Sequence, residues 1–356
     1  MSFFGSAGSS GETFFRNPIG LDYDYQPKLV KYRENEMRLI AAAMRPLFQK
    51  RSGRNVFVYG PSGVGKTVAV RNLLQEVEQE TDDIACFYIN CWKADTTFKV
   101  LLEMCDVIGY KFTQNKRGDE LFDIVKKDLN KKAAVIVFDE ADKLDDIDFL
   151  YNVIEEVFNK SLILITNHKD WIAELDNRIK SRLTAELLEF RPYDLTETRG
   201  VLEQRREFVF GPGIWQQDAF EAVVQKSAGV QDIRSGLYLM KEAANTAEER
   251  NARQVAAADV AVAVKKLEEF SIKKTGDLEE EARFVLNIIK KNSGARIGDL
   301  FTAYKEAGGD MVYKTFQRRI AKLEDDKFIT TEKIAGGTDG KTTLIKFGQE
   351  KKLTEF

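Results

Sequence analysis

The run Gly60-Pro61-Ser62-Gly63-Val64-Gly65-Lys66-Thr67 holds the residues whose types and spacing most directly imply chemistry. Its glycines let the backbone curl until successive N–H groups point at one set of phosphate oxygens. A helix starting at Lys66 adds its positive N-terminal end. The pattern predicts ATP or ADP as ligand and assigns the Lys66 ammonium to the β-phosphate and, in ATP, the γ-phosphate, and the Thr67 hydroxyl to Mg²⁺. Val68, the next residue, is counted among the nucleotide contacts. Further along, Val135-Ile136-Val137-Phe138 leads into Asp139-Glu140-Ala141-Asp142. An apolar strand here would deliver Asp139 to the Mg²⁺ shell at its carboxyl end, where open parallel sheets bind ligands. Glu140 is then placed to polarise an attacking water as general base. Asn167, just past the run Leu162–Ile165, would bring its amide beside the γ-phosphate and that water. A turn-forming Asn at a strand end reads the same way. His168, the only histidine, takes no role, so a Cys–His nucleophile is not indicated.

These residues need a scaffold that sets several strand ends side by side. From Asn55 to Phe190, short apolar runs (56–59, 85–89, 133–138, 162–165, 185–190) alternate with amphipathic stretches such as Lys66–Glu80, Thr96–Ile108 and Asp119–Leu129. That alternation predicts an α/β domain with a parallel five-stranded sheet covered on both faces. After Pro192-Tyr193-Asp194 the stretches 196–207, 216–227, 233–249 and 256–270 read as helices, with breaks at Gly211-Pro212-Gly213 and Gly229. Lys273 to Asp277 reads as a linker. Three helices (279–291, 297–306, 314–326) and a Gly-rich hairpin over 329–347 end the chain. The expected organisation is a flexible tail over 1–13, a nucleotide-binding domain over 14–193, an all-helical lid over 194–276 and a final domain over 277–356.

Composition agrees with this plan. At roughly 100–200 residues per domain, 356 residues imply two or three domains. With 43% hydrophobic and 31% charged residues the chain is globular and general disorder is excluded. No apolar run approaches the ~18 residues of a membrane span, and the N-terminus lacks the pattern of a secretory signal. Cys86, Cys91 and Cys105 have no metal-ligand spacing and imply packing roles in a reducing compartment. The expected location is cytoplasmic and nucleoid-associated, with no membrane partner.

The loop, Asp139-Glu140-Ala141-Asp142, the Asn167 strand end and Asp176-Asn177-Arg178-Ile179-Lys180-Ser181-Arg182-Leu183 together resemble an AAA+ ATPase. Further segments narrow the resemblance. They are Leu21 to Pro27 leading to Arg33-Glu34, Asn90-Cys91-Trp92-Lys93, Phe190-Arg191-Pro192-Tyr193-Asp194, and Gly229 to Arg234. With a winged-helix-like ending, these are similar to the archaeal replication initiators related to the origin recognition complex's first subunit and the cell-division-cycle-six loader.

That resemblance implies several things. A helical insertion within 93–115 would touch DNA; Val100, Leu101, Met104 and Ile108 at helical spacing also fit a helix packed on the sheet, and the two are compatible. Arg182 matches the arginine finger, which would act on a neighbouring subunit's nucleotide when copies meet on DNA. Many archaeal relatives lack an arginine there, so this is a departure. Arg234 matches the lid arginine that senses the γ-phosphate, and Val30 and Arg33 fall where relatives line the adenine pocket. Recruitment of the replicative MCM helicase and slow, switch-like hydrolysis are also implied.

The charge pattern of the last domain fits a DNA partner. From Arg283 to Phe356 there are 15 Lys and Arg against 10 Asp and Glu, a net +5 that leaves −8 for the rest of a chain whose total is −3. In 314–326, Phe316, Ile320 and Leu323 should face the domain core. Lys314, Arg318 and Lys322 then form one stripe with Gln317 and Arg319 beside it, as a major-groove helix needs. Lys333 and Lys341 flank a Gly-rich tip suited to phosphates or the minor groove. A signalling or scaffolding ATPase with the same ending would bind protein instead, and a clamp-loader or transposition ATPase would share only the nucleotide domain.

Overall fold

A computed structural model describes residues 13–276, 280–309, 311–325, 328–334 and 342–347. A short 3-10 turn, Pro18–Leu21, precedes α1 (Glu34–Met44). The nucleotide-domain elements follow in order: β1 (Val56–Tyr59), α2 (Lys66–Glu80), β2 (Ile84–Asn90), α3 (Thr97–Val107), α4 (Gly118–Leu129), β3 (Ala133–Asp139), α5 (Asp148–Glu156), β4 (Lys160–Thr166), α6 (Trp171–Glu174), α7 (Asn177–Leu183) and β5 (Glu186–Glu189). The five strands are all parallel and lie in the order β2-β3-β4-β1-β5. β3 is buried at every position and β4 at all but its first, as strands covered on both faces must be.

Alternate residues feed two cores. Phe57, Ile136, Phe138 and Leu164 pack on one face with residues of α3, α4 and α5. Val58, Val135, Val137, Ile163 and Ile165 pack on the other with residues of α1 and α2. Each such fully buried side chain contributes roughly 1.5–3 kcal/mol. The strand order sets the ends of β3, β4 and β1 side by side, with Tyr59 level with Thr166 and Asp139 level with Ile165. That juxtaposition brings the predicted site residues together.

Four helices follow: α8 (Leu195–Val209), α9 (Gln217–Val230), α10 (Ile233–Glu249) and α11 (Ala257–Gly276). Asp194 and Glu197 form a capping box at the start of α8. The expected break at Gly229 falls two residues later. α9 runs through that glycine and ends where Gln231 turns left-handed at φ 59°. The expected linker is also helical, since α11 continues through Lys273 and Lys274 to Gly276. Lysine is a good helix former and the stretch offers no stop signal before its glycine. Asp277 lies outside the described residues.

The chain separates into two compact units, residues 1–264 and 265–356. The second contains α12 (Glu280–Lys291), β6 (Ala295–Arg296), α13 (Ile297–Glu306), α14 (Tyr313–Asp325), β7 (Ile329–Ile334) and β8 (Thr342–Phe347). Its antiparallel sheet has the order β6-β8-β7, so the expected two-stranded hairpin gains a short third strand. Val285, Leu300, Phe316, Ile320 and Ile345 form its core. Cys91 and Cys105 are buried and Cys86 is half-buried, and burial pushes their thiols up, Cys86 to about 12. Among the described residues no helix is long and apolar enough to cross a membrane.

Candidate functional site

The loop Gly60–Gly65 joins β1 to α2 as the motif requires. Its turn depends on glycines at positive φ, among them Gly63 (φ 74°) and Gly65 (φ 91°). A Cβ on Gly63 would overlap the Asp232 carboxylate, and one on Gly65 would sit 2.7 Å from the Tyr193 hydroxyl. Lys66 opens α2 and is only 7% exposed. Its ammonium donates to the carbonyls of Gly60 and Pro61, each at 2.7 Å, and to Asn167 Oδ1 at 2.8 Å. Burial lowers its pKa to about 8, although Asp139 and Glu140 pull it upward. Pro61 and Ser62 are exposed, Val64 is buried, and Thr67 and Val68 are half-buried.

The acidic side of the site is equally connected. Asp139 is 4% exposed at the end of β3. The Thr67 hydroxyl donates to its Oδ2 at 2.7 Å, and the Glu140 backbone N–H donates to its Oδ1 at 2.9 Å. A hydroxyl and a carboxylate, both hard oxygens, fit Mg²⁺, which takes few protein ligands and keeps its remaining positions for water and phosphate. Glu140 is held left-handed at φ 55°, a conformation that costs a non-glycine residue roughly 1–3 kcal/mol. Burial, then the charges of Asp139 and Asp142, raise its carboxyl above the usual range, as suits a general base. Thr166 donates to Asp142 at 2.8 Å, tying this turn to β4.

The other predicted residues occupy varied positions. Arg234, at the start of α10, reaches the Ser62 hydroxyl of the loop and pairs with Asp232 at 3.1 Å. The Ile233 N–H donates to the Gly63 carbonyl at 3.4 Å. Arg33 is fully buried: it donates to the carbonyls of Val64 (3.0 Å) and Arg191 (2.6 Å), pairs with Glu36 and lies 3.9 Å over the Tyr193 ring. It fastens the loop to the segment that leads from β5 into the lid. Val30 and Val64 are buried in the same core. Arg182 is exposed on α7 and pairs with Glu155 of α5 at 3.2 Å. In α3, Val100, Leu101 and Met104 are buried, whereas Trp92, Phe98 and Phe112 nearby are exposed.

Two contributors escaped the sequence reading. Tyr193 covers the loop at Gly65, and Tyr88 of β2 donates to Asp139 Oδ2 at 2.6 Å. Tyr193 stood in the segment that opens the lid, but nothing in Phe87-Tyr88-Ile89 sets Tyr88 apart from other strand aromatics.

In the second unit, α14 buries Phe316, Ile320 and Leu323 as its spacing requires. Lys314, Gln317 and Arg318 are exposed, and Arg319 is half-buried. Only the backbone of Lys322 and Lys333 is described, and Lys341 lies outside the described residues.

Known proteins resemble the chain over nearly its full length. The AAA domain family matches residues 49–170, and the Cdc6 AAA+ ATPase-type lid domain family matches residues 199–265. ORC1-type DNA replication protein 1 of Archaeoglobus fulgidus is 27% identical over 97% of this chain and 90% of its own. The structure of the Aeropyrum pernix ORC1 protein in complex with DNA matches with a TM-score of 0.72 and 26% identity, covering 94% of this chain and 93% of that one. Cdc6p of Pyrobaculum aerophilum shares the fold, with a TM-score of 0.65 and 17% identity over 94% of this chain and 95% of its own.

Proposed function

The chain belongs to the archaeal ORC1/Cdc6 family of AAA+ replication initiators, and from that premise we propose that it is an ATP-regulated DNA-binding protein of replication initiation. ATP is held by the loop Gly60–Thr67, with Lys66 on its β- and γ-phosphates. When bound with Mg²⁺ at Thr67 and Asp139, the nucleotide has its phosphate charge neutralised for slow hydrolysis. Glu140 orients the attacking water, and Asn167 sits on the same ammonium that meets the γ-phosphate. Arg234 reads the γ-phosphate from the lid, and Arg182 serves the nucleotide of a neighbouring copy assembled on DNA.

The observation that carries this reading is the seam between loop and lid. Arg234 meets Ser62, and Asp232 closes over Gly63. A change at the phosphates therefore reaches α10 directly, which is what a switch needs. The exposed Lys314, Gln317 and Arg318 of α14 support a winged helix lying in the major groove of origin DNA. The insertion over 93–115 is a second contact, and recruitment of the replicative MCM helicase follows from the family resemblance. The work is done on the nucleoid in the cytoplasm.

The test maps the DNA bound by the protein in cells, comparing the wild type with Glu140→Gln, which should retain ATP and lose turnover. Discrete sites at replication starts, strengthened in the variant, are expected. Scattered or absent binding sinks the origin-specific reading, and normal hydrolysis by Glu140→Gln sinks the assignment of the base.

A further inference from the structure

Tyr88 carries a polar group that packing alone does not call for. It is half-buried on β2, at the edge of the sheet, with its ring against the α2 side. A phenylalanine would fill the same space, and burying a hydroxyl is unfavourable unless it is hydrogen-bonded. The register explains where the hydroxyl goes. Asn90 lies directly across from Asp139 and Tyr88 across from Val137, so Tyr88, Asn90 and Asp139 share one face. From that diagonal position the Tyr88 hydroxyl donates to Asp139 Oδ2 at 2.6 Å, a short bond of the charge-assisted kind.

The ring is itself held. Arg71 of α2 lies 5.0 Å over its face. Asn90 lies on the same face two residues on. Its Oδ1 accepts from the Trp92 N–H at 3.0 Å.

We infer that Tyr88 is a positioning residue for the metal-side carboxylate. This rests on the reading of Asp139 given above. An ionised carboxylate offers about four lone-pair sites. Thr67 and Tyr88 fill two on Oδ2, and the Glu140 N–H takes a third on Oδ1. The side chain cannot rotate without breaking one of these bonds. What remains for a hard cation or its water is fixed in direction before the ligand arrives.

The experiment titrates ATP calorimetrically into wild type, Tyr88→Phe and Asp139→Asn at a series of Mg²⁺ concentrations and in excess chelator. Tyr88→Phe keeps the ring and the fold. It is expected to need about 10-fold more Mg²⁺ for the same tightening of ATP, with affinity in chelator unchanged. Asp139→Asn should shift in the same direction by more. A Tyr88→Phe protein with wild-type Mg²⁺ dependence overturns the inference alone. So does one that loses affinity equally with and without the metal, since that marks a purely structural role. Wild-type binding that ignores Mg²⁺ overturns the reading of Asp139, and this inference with it.

Discussion

At the scale of single residues, Lys66 is the most consequential group. Its three N–H donors all meet carbonyl oxygens, yet burial holds its pKa near 8. In the unfolded chain the value is the ordinary 10.5. The folded value is the lower one, so between about pH 8 and 10.5 the unfolded state binds more protons and folding stability rises with pH. Below about pH 8 the buried charge costs the fold on the order of 3 kcal/mol. Phosphate oxygens beside the ammonium favour its charged form and raise its pKa on binding. ATP affinity should therefore fall as pH rises past about 8, with a proton taken up on binding there. Calorimetry in two buffers of different ionisation enthalpy checks this: almost no uptake at about pH 7, and most of one proton at about pH 9. Uptake that does not change between the two would refute the coupling. Lys66, Thr67 and Asp139 were legible because their chemistry is written in linear spacing beside a strand or a helix start. Tyr88 was not, because its partner lies on the neighbouring strand and only the register brings them together.

At the scale of elements, the informative contact is that of α10 with the loop. Asp232 caps α10, accepting from the Arg234 N–H at 2.8 Å, and also holds the Arg234 side chain. Its carboxylate occupies the space that a Cβ on Gly63 would need. Asp232→Ala should cost about 1 kcal/mol through the lost cap. Gly63→Ala should cost about 1–3 kcal/mol, since φ is 74° there and the carboxylate must move. In the double variant the clash is gone, so denaturant melts should give a loss smaller than the sum of the two. Strict additivity would mean that the lid does not close on the loop in solution. Most elements could be read from periodicity, α2, α10 and α13 to their ends. α5 could not: it follows directly on the acidic turn after Asp139, where charge hides the spacing of Phe149, Leu150, Val153 and Ile154. β6 has two residues, too few to show any period. Gly229 misled because a glycine is tolerated in a last helical turn when the next left-handed position is filled by another residue, here Gln231.

At the scale of the whole molecule, near-neutrality conceals an uneven distribution. Residues 265–356 carry 19 Lys and Arg against 16 Asp and Glu, a net +3, which leaves −6 on residues 1–264. A polyanion is therefore attracted by one unit and repelled by the net charge of the other. The surplus is small, so affinity must come from a few placed cations, and Lys314 and Arg318 are exposed four residues apart on α14. Each phosphate contact made by such a cation releases counterions and steepens the salt dependence by about one unit of slope. Replacing Lys314 and Arg318 together by alanine should weaken duplex binding and flatten the plot of log affinity against log salt by roughly two units if both touch phosphate. If Arg318 instead reads a base edge, the slope should change by about one, and discrimination between origin and random duplex should fall. Fluorescence anisotropy across a salt series, on origin and random duplexes, separates the two. An unchanged slope and unchanged affinity would mean that α14 faces a protein partner, and would overturn its assignment to DNA.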